Sequence, residues 1–146
     1  MAPVAKAQLE AAGFKVNIQA MDWQTLVARR TKKDPPDKGG WNAFITSWVA
    51  ADILNPVSAA FFNASCDKAL FGWPCDETME KLRDDFARAS DPAKQKEIAE
   101  AVQKRNIEIT AEIPVGEYVS PMAMRKNVKG LVIAPAPVFW NLEMTK

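Results

Sequence analysis

The chain has 146 residues, of which 48% are hydrophobic and 25% charged, and its formal net charge is +1 at pH 7. This length and composition are typical of one globular domain, and the small net charge gives no reason to expect nucleic acid or an anionic membrane as a partner. The chain contains no histidine, which excludes most triad hydrolases and most zinc sites. We therefore expect no enzyme activity, no metal and no cofactor.

No secretory signal is recognisable in the first residues, because residues 1–6 contain no apolar run. The most apolar window, residues 44–62, is interrupted by Asp52, Asn55 and Pro56. A membrane-spanning helix needs about 20 predominantly apolar residues, so this window is not predicted to cross a membrane.

The first part of the chain predicts helices that alternate with strands. Residues 3–12 have the pattern of a short helix, which Gly13 would end in a left-handed conformation. Residues 14–20 alternate apolar and polar side chains as a half-buried strand does. Asp22 is placed to cap a second helix, and residues 41–48 have the aromatic, alternating pattern of another strand. This order predicts an α/β fold, a mixed sheet with flanking helices and at least one parallel pair of strands.

Two aspartates predict a helical hairpin further along the chain. Asp76 precedes a helix that extends to about residue 89, and Asp91, followed by a first-turn proline, precedes another that extends to about residue 110. Their facing sides are predicted from residues at helical spacing: Met79, Leu82, Phe86, Ala89, Ile98, Val102, Arg105 and Ile109. Strand character returns at residues 113–124, and residues 128–133 form a further short apolar run.

Cys66 and Cys75 leave two alternatives open. Their spacing is not a Cys-x-x-Cys redox motif, and without further cysteines or histidines they cannot complete a zinc site. They form either a disulfide, which would contribute about 2–3 kcal/mol and imply an oxidising compartment, or two free thiols.

Residues 39–56 suggest a ligand site. A predicted strand there delivers Trp48 and a lone carboxylate, Asp52, into a loop that closes at Asn55 and Pro56. Large aromatic groups and single carboxylates at strand ends commonly build ligand sites. The alternative is a core strand followed by a capping aspartate.

The most distinctive motif is Ser47-Trp48-Val49-Ala50-Ala51-Asp52-Ile53-Leu54-Asn55-Pro56. It resembles the Gly-Trp…Asp…(Asp/Glu/Asn)-Pro motif of the peptide-type (dipeptide and oligopeptide, family 5) solute-binding proteins of ABC importers. Other segments resemble the second lobe of that family in the same order: residues 7–16, 21–23, 77–110, 113–118 and 128–130. The resemblance covers nearly the whole chain.

The resemblance implies a fold and a set of ligand-binding residues. It implies that residues 1–126 are part of the second lobe of a type II periplasmic-binding-protein fold, and that residues 127–146 return to a first lobe outside this chain. It also implies that Asp52 receives the α-ammonium of a bound peptide, that Trp48 lines the pocket, and that Asn55 belongs to the same site. The cysteine loop has a counterpart in some dipeptide binders, which favours the disulfide.

The resemblance further implies the function. The chain is predicted to be a fragment of the periplasmic substrate-binding component of an ABC transporter, without its signal peptide, that captures peptides or a related small solute in a two-lobe cleft. Its partners would be that ligand and the membrane subunits of the importer. Without the first lobe, residues 127–146 are expected to be poorly ordered or to pack on a second copy, as a homodimer.

The sequence leaves two other functions to consider. One is a stand-alone, non-catalytic protein-interaction module that associates through the apolar C-terminal tail. The other is an enzyme that uses Asp22, Asp52 or Glu117, and it is disfavoured because no nucleophile and base can be paired.

Overall fold

The computed structural model describes residues 1–136 and 138–145. Its helices and strands are α1 Ala2–Ala11, α2 Trp23–Arg30, α3 Glu77–Arg88, α4 Pro92–Ile109, β1 Val128–Lys129 and β2 Glu143–Met144. Short 3₁₀ turns lie between α2 and α3, at Pro36–Lys38, Ala50–Ile53, Ala60–Phe62 and Cys66–Lys68. Two units are distinguished, Met1–Ser47 and Trp48–Lys146. In the described ranges, none of the helices combines the length and the apolar character that a membrane span requires.

The first unit confirms the helix boundaries predicted from local signals. Gly13 has a φ of +91° just after α1, and the Asp22 side chain caps α2 by accepting a hydrogen bond from the Thr25 amide at 3.0 Å. Arg29 of α2 donates from Nε and Nη2 to the Gly40 carbonyl at 3.0 and 2.7 Å. These bonds fasten the loop after α2 to the helix.

The second unit is built on the helical hairpin formed by α3 and α4, and the predicted core is confirmed. Met79 and Val102 are fully buried, and Ile98 and Ala64 complete the buried cluster. The partly buried residues packed against it are Phe62, Leu82, Phe86, Ala89 and Ile109. Burial of this apolar surface is the main favourable term that holds the hairpin together.

Both predicted helix caps are also present. The Asp76 carboxylate accepts a hydrogen bond from the Met79 amide at 2.7 Å, and that of Asp91 accepts one from the Lys94 amide at 2.9 Å. Each cap satisfies an amide that the first helical turn leaves without a partner.

The predicted mixed sheet is wrong for the described residues. Residues 14–20, 41–48 and 113–124 are not strands, and the sheet consists of β1 and β2, paired antiparallel with Val128 opposite Met144. A strand exists only where its backbone exchanges hydrogen bonds with a neighbour, and these three segments make no ladder bonds within the described chain. The alternating patterns therefore mark segments with apolar faces but no paired neighbour, and Val119 is 87% exposed.

The C-terminal segment pairs with itself. Besides β1 and β2, an isolated bridge joins Val132 to Val138, and the Thr145 amide donates to the Asn127 carbonyl at 2.8 Å. Its large apolar side chains Ile133, Phe139 and Trp140 are nevertheless exposed. The domain boundary at residue 126 and the return of residues 127–146 to another lobe stay predictions.

Candidate ligand-binding site

The three predicted ligand-binding residues lie close together along the chain, within residues 48–55. Asp52 belongs to the 3₁₀ turn Ala50–Ile53, in which its amide donates to the Val49 carbonyl at 2.9 Å. Asn55 precedes Pro56, a residue that cannot donate a backbone hydrogen bond and that disfavours helical geometry before it. Asp52 is therefore placed by the 3₁₀ turn and Asn55 by the start of the turn that follows, whereas Trp48 lies before both turns.

The Asp52 side chain is exposed, and its carboxylate accepts no hydrogen bond from the part of the chain that the structure describes. It does not act as a cap, because the residue before the 3₁₀ turn is Val49 and Asp52 lies inside the turn. The alternative of a core strand followed by a capping aspartate is thus not what the structure shows. A carboxylate without a structural partner is able to accept charge-assisted hydrogen bonds from a ligand.

The indole of Trp48 is held on one side by other aromatic rings. It meets Phe61 edge to face, with ring centroids 6.0 Å apart, and Phe61 meets Phe62 in the same way at 4.6 Å. Phe62 in turn packs against the hairpin core. Trp48 is still 44% exposed, so a large apolar surface remains available for contact.

Asn55 has a structural role that the sequence did not predict. Its Oδ1 accepts hydrogen bonds from the amides of Val57 and Ser58, both at 2.9 Å, and its carbonyl accepts one from the Ala59 amide at 3.0 Å. The side chain therefore caps the turn formed by residues 55–59. Its oxygen serves the turn, and its role toward a ligand stays a prediction.

Two charged residues of α3 hold the chain that follows Asn55, and neither was predicted. Arg83 donates from Nε to the Pro56 carbonyl at 3.0 Å, and its Nη1 pairs with Glu80 at 2.7 Å. The same carboxylate oxygen of Glu80 accepts a hydrogen bond from the Ala64 amide at 2.8 Å. A signal was available, because Arg83 lies four residues after Met79 and so on the inward-facing side of α3.

A disulfide closes the loop between this region and α3. Cys66 and Cys75 are bonded, and their Cα atoms are 4.1 Å apart, which confirms the predicted bridge. Backbone bonds flank it on both sides, from the Cys66 amide to Pro74 and from the Asp76 amide to Ala64, each at 3.0 Å. The cap of α3 is therefore directly attached to the closed loop.

No family model matches the chain. The chain is 32% identical over 140 residues to a protein of Sinorhizobium fredii (strain NBRC 101917 / NGR234) that is named a probable peptide ABC transporter periplasmic-binding protein. The match covers 96% of this chain but 26% of that protein, so the chain spans about a quarter of the relative's length. The name describes a binding component of a transporter, not an enzyme. The resemblance seen in the motifs is confirmed: over nearly its whole length, the chain is related to part of a periplasmic-binding protein of a peptide ABC transporter.

Proposed function

We propose that the chain is part of the substrate-binding component of an ABC transporter, and that it helps to capture a peptide or a related small solute for import. The observation that carries the proposal is the Asp52 carboxylate, exposed and without a hydrogen-bond partner among the described residues. It lies in the segment that matches the family motif, four residues after a half-exposed indole. The similarity to the Sinorhizobium protein supports the same function.

Asp52 is proposed to receive the α-ammonium of the peptide, and Trp48 to cover an apolar part of it. An ammonium group that leaves water loses its hydration, and a carboxylate restores that interaction through charge-assisted hydrogen bonds. Removing one partner of such a pair typically costs about 2–5 kcal/mol. A loss of this size would raise the dissociation constant of the peptide at least about 30-fold.

The opposite wall of the cleft is proposed to lie outside these 146 residues. Residues 1–126 would belong to the second lobe, and residues 127–146 would return to the first, with closure of the two lobes as a hinge motion around the ligand. The unpaired segment 113–124, whose apolar side chains are exposed, supports this proposal because it offers edges for strands that this chain does not contain.

The periplasm is the proposed location, and the membrane subunits of the importer are the proposed partners. The disulfide between Cys66 and Cys75 supports this location, because such bonds persist in oxidising compartments.

Native mass spectrometry and calorimetry on the complete gene product test the proposed function. We expect a co-purified solute or dipeptide binding in the micromolar range, and binding at least about 100-fold weaker for the 146-residue chain, because half of the burial is lost. A complete product that binds no dipeptide and retains no solute would contradict the proposal. Equal affinity of the 146-residue chain would contradict the two-lobe cleft.

The exposed tail favours a second candidate function, a stand-alone interaction module. Trp140 is 91% exposed and directly follows Phe139 in the sequence, which is also exposed. This candidate predicts concentration-dependent association that Trp140→Ser abolishes, whereas Ile107→Ser, at an exposed position of α4, leaves it unchanged. Light scattering that shows a monomer at every concentration would rule out self-association through the tail.

A further inference from the structure

We propose that Arg83, together with Glu80, is a positioning residue for the ligand site. The two side chains fix the segment 55–64, and through it the Trp48 indole and the turn that carries Asp52. The expected effect on ligand affinity rests on the proposed function, whereas the expected effect on the position of Trp48 does not.

The contacts of these two residues form one connected set, which we call the Arg83 clasp. The Arg83 guanidinium donates to the carbonyls of Pro56 and Val57, at 3.0 and 3.4 Å, and to Glu80 at 2.7 Å. Glu80 accepts the Ala64 amide at 2.8 Å. The clasp therefore attaches α3 to the segment 55–64 at both of its ends.

The Arg83 side chain of the clasp is largely removed from water. The Arg83 side chain is 14% exposed, and Pro56 beside it is buried. Hydrogen bonds made by a guanidinium that is largely removed from water are stronger than those at the surface, because solvent competes less for the donors. A planar fork of donors reaches two carbonyls and a carboxylate at once, a geometry that a lysine ammonium does not reproduce.

The clasp acts on Trp48 through Phe61. Phe61 lies between the two attachment points of the segment, and its ring is the one that meets the indole, at 6.0 Å. If the segment shifted away from α3, the aromatic surface against which Trp48 rests would move with it.

The clasp acts on Asp52 through the turn at residues 55–59. The Asn55 side chain caps this turn at its start, and Arg83 donates hydrogen bonds to the carbonyls of the next two residues, Pro56 and Val57. The turn is thus held at its amides by Asn55 and at its carbonyls by Arg83. Asp52 is three residues before this fixed point, so a shift of the turn would move the backbone that carries the Asp52 carboxylate.

The same helix offers a matched control. Arg88 pairs with Asp84 through Nε and Nη2, at 2.9 and 3.0 Å, so it too is joined to an acidic residue of α3. Its side chain is 75% exposed and contacts no backbone carbonyl in the described residues. Arg88→Gln therefore removes an arginine–carboxylate ion pair of α3 without touching the segment 55–64.

The deciding experiment compares Arg83→Gln, Arg83→Lys and Arg88→Gln in the 146-residue chain by ¹⁵N–¹H spectroscopy without any ligand. The indole resonance of Trp48 is assigned with Trp48→Phe, and the other four tryptophans serve as internal references. We expect Arg83→Gln to shift the Trp48 resonance more than the other indoles, Arg83→Lys to shift it less, and Arg88→Gln to leave it in place. An unchanged Trp48 resonance in folded Arg83→Gln, or equal shifts of all indoles, would overturn the proposal.

Amide hydrogen exchange in Arg83→Lys is a second test, and it does not depend on the folding of Arg83→Gln. In Arg83→Lys the amides of Ser58 and Ala64 should exchange at least about tenfold faster than in the wild type, while that of Val102 in the core keeps its rate. Unchanged exchange at Ser58 and Ala64 would overturn the proposal.

Affinity for the dipeptide alanyl-phenylalanine, measured on the complete gene product, gives the functional outcome. We expect Arg83→Gln to weaken it at least about tenfold, and Arg88→Gln to change it less than about twofold. If the wild type binds the dipeptide and Arg83→Gln binds it equally well, the positioning role is overturned. If the wild type binds no dipeptide and retains no solute, the proposed function fails, and the spectra and exchange rates still decide whether Arg83 fixes the position of Trp48.

Discussion

The Asp76 carboxylate accepts two hydrogen bonds from the Arg105 guanidinium, one from Nε at 3.0 Å and one from Nη2 at 2.5 Å. The same carboxylate caps α3 by accepting the Met79 amide at 2.7 Å. The Asp76 side chain thus caps the first turn of α3 and also connects α3 to α4. Asp76 is the residue after Cys75, which is part of the disulfide. The prediction that Arg105 faces the other helix is confirmed, but its partner is this cap and not the apolar core.

Replacing Asp76 should cost more than replacing the other helix cap. Asp76→Asn keeps a capping side chain but removes the negative charge opposite Arg105, so we expect unfolding free energy to fall by about 2 kcal/mol. Asp91→Asn, at an exposed cap without this ion pair, should cost less than about 0.5 kcal/mol because asparagine caps as well as aspartate. Urea denaturation at pH 7 measures both, and equal costs would show that the ion pair contributes nothing.

Acid should destabilise the wild type more than Asp76→Asn. The Arg105 hydrogen bonds, and then the Met79 amide, lower the pKa of the Asp76 carboxyl from its ordinary 3.8. Because the folded pKa is the lower one, the contribution of this group is complete above about pH 4 and is lost as the pH falls through the folded pKa. The difference in unfolding free energy between the two proteins should therefore shrink below pH 4. If the difference in unfolding free energy changed between pH 5 and 8 instead, the pH dependence would belong to a group other than Asp76.

Reduction of the disulfide should lower the unfolding free energy by about 2–3 kcal/mol, because the bridge restricts the unfolded chain. Urea denaturation with and without reductant measures this. The double variant Cys66→Ser/Cys75→Ser is the control and should not respond to reductant. Two titratable thiols in the unreduced, denatured wild type would show that the bridge does not form.

Truncation in the hairpin core should be costly. Met79 is fully buried in the cluster that α3 and α4 share, so Met79→Ala should lower the unfolding free energy by about 3 kcal/mol. Ile107→Ala, at an exposed position of α4, should change it by less than about 0.5 kcal/mol. Similar effects at both positions would contradict the assignment of the core.

The helices could be predicted because their signals are local. Gly13 ends α1, Asp22 starts α2, and the pair Asp91 and Pro92 starts α4, each within one helical turn of the boundary it sets. The strands could not be predicted in the same way. An alternating pattern shows that a segment has an apolar face, but pairing depends on a neighbour elsewhere, and residues 113–124 have none in the described chain.

In the candidate site, too, some residues could be predicted from local patterns and others could not. Trp48 and Asp52 stand out in the sequence, because an aromatic residue and a lone carboxylate interrupt an apolar stretch. The contact of Arg83 with Pro56 joins residues 27 positions apart, and no local pattern encodes it. The capping role of Asn55 is local and could have been predicted, and its role toward a ligand stays a prediction.

We propose that the Asp52 carboxylate binds the ammonium group of a peptide. The most direct measurement compares a dipeptide with its N-acetylated form on the complete gene product, for wild type, Asp52→Asn and Asp37→Asn. Asp37 is the control because it also lies in a 3₁₀ turn, Pro36–Lys38, and is exposed.

We predict that Asp52→Asn weakens binding of the free dipeptide at least about 30-fold, equivalent to about 2 kcal/mol, and that acetylation then causes no further loss. The Asp37→Asn protein should behave as the wild type does. Wild-type affinity in Asp52→Asn, or an equal loss on acetylation in the wild type and in Asp52→Asn, would show that Asp52 does not bind the ammonium group.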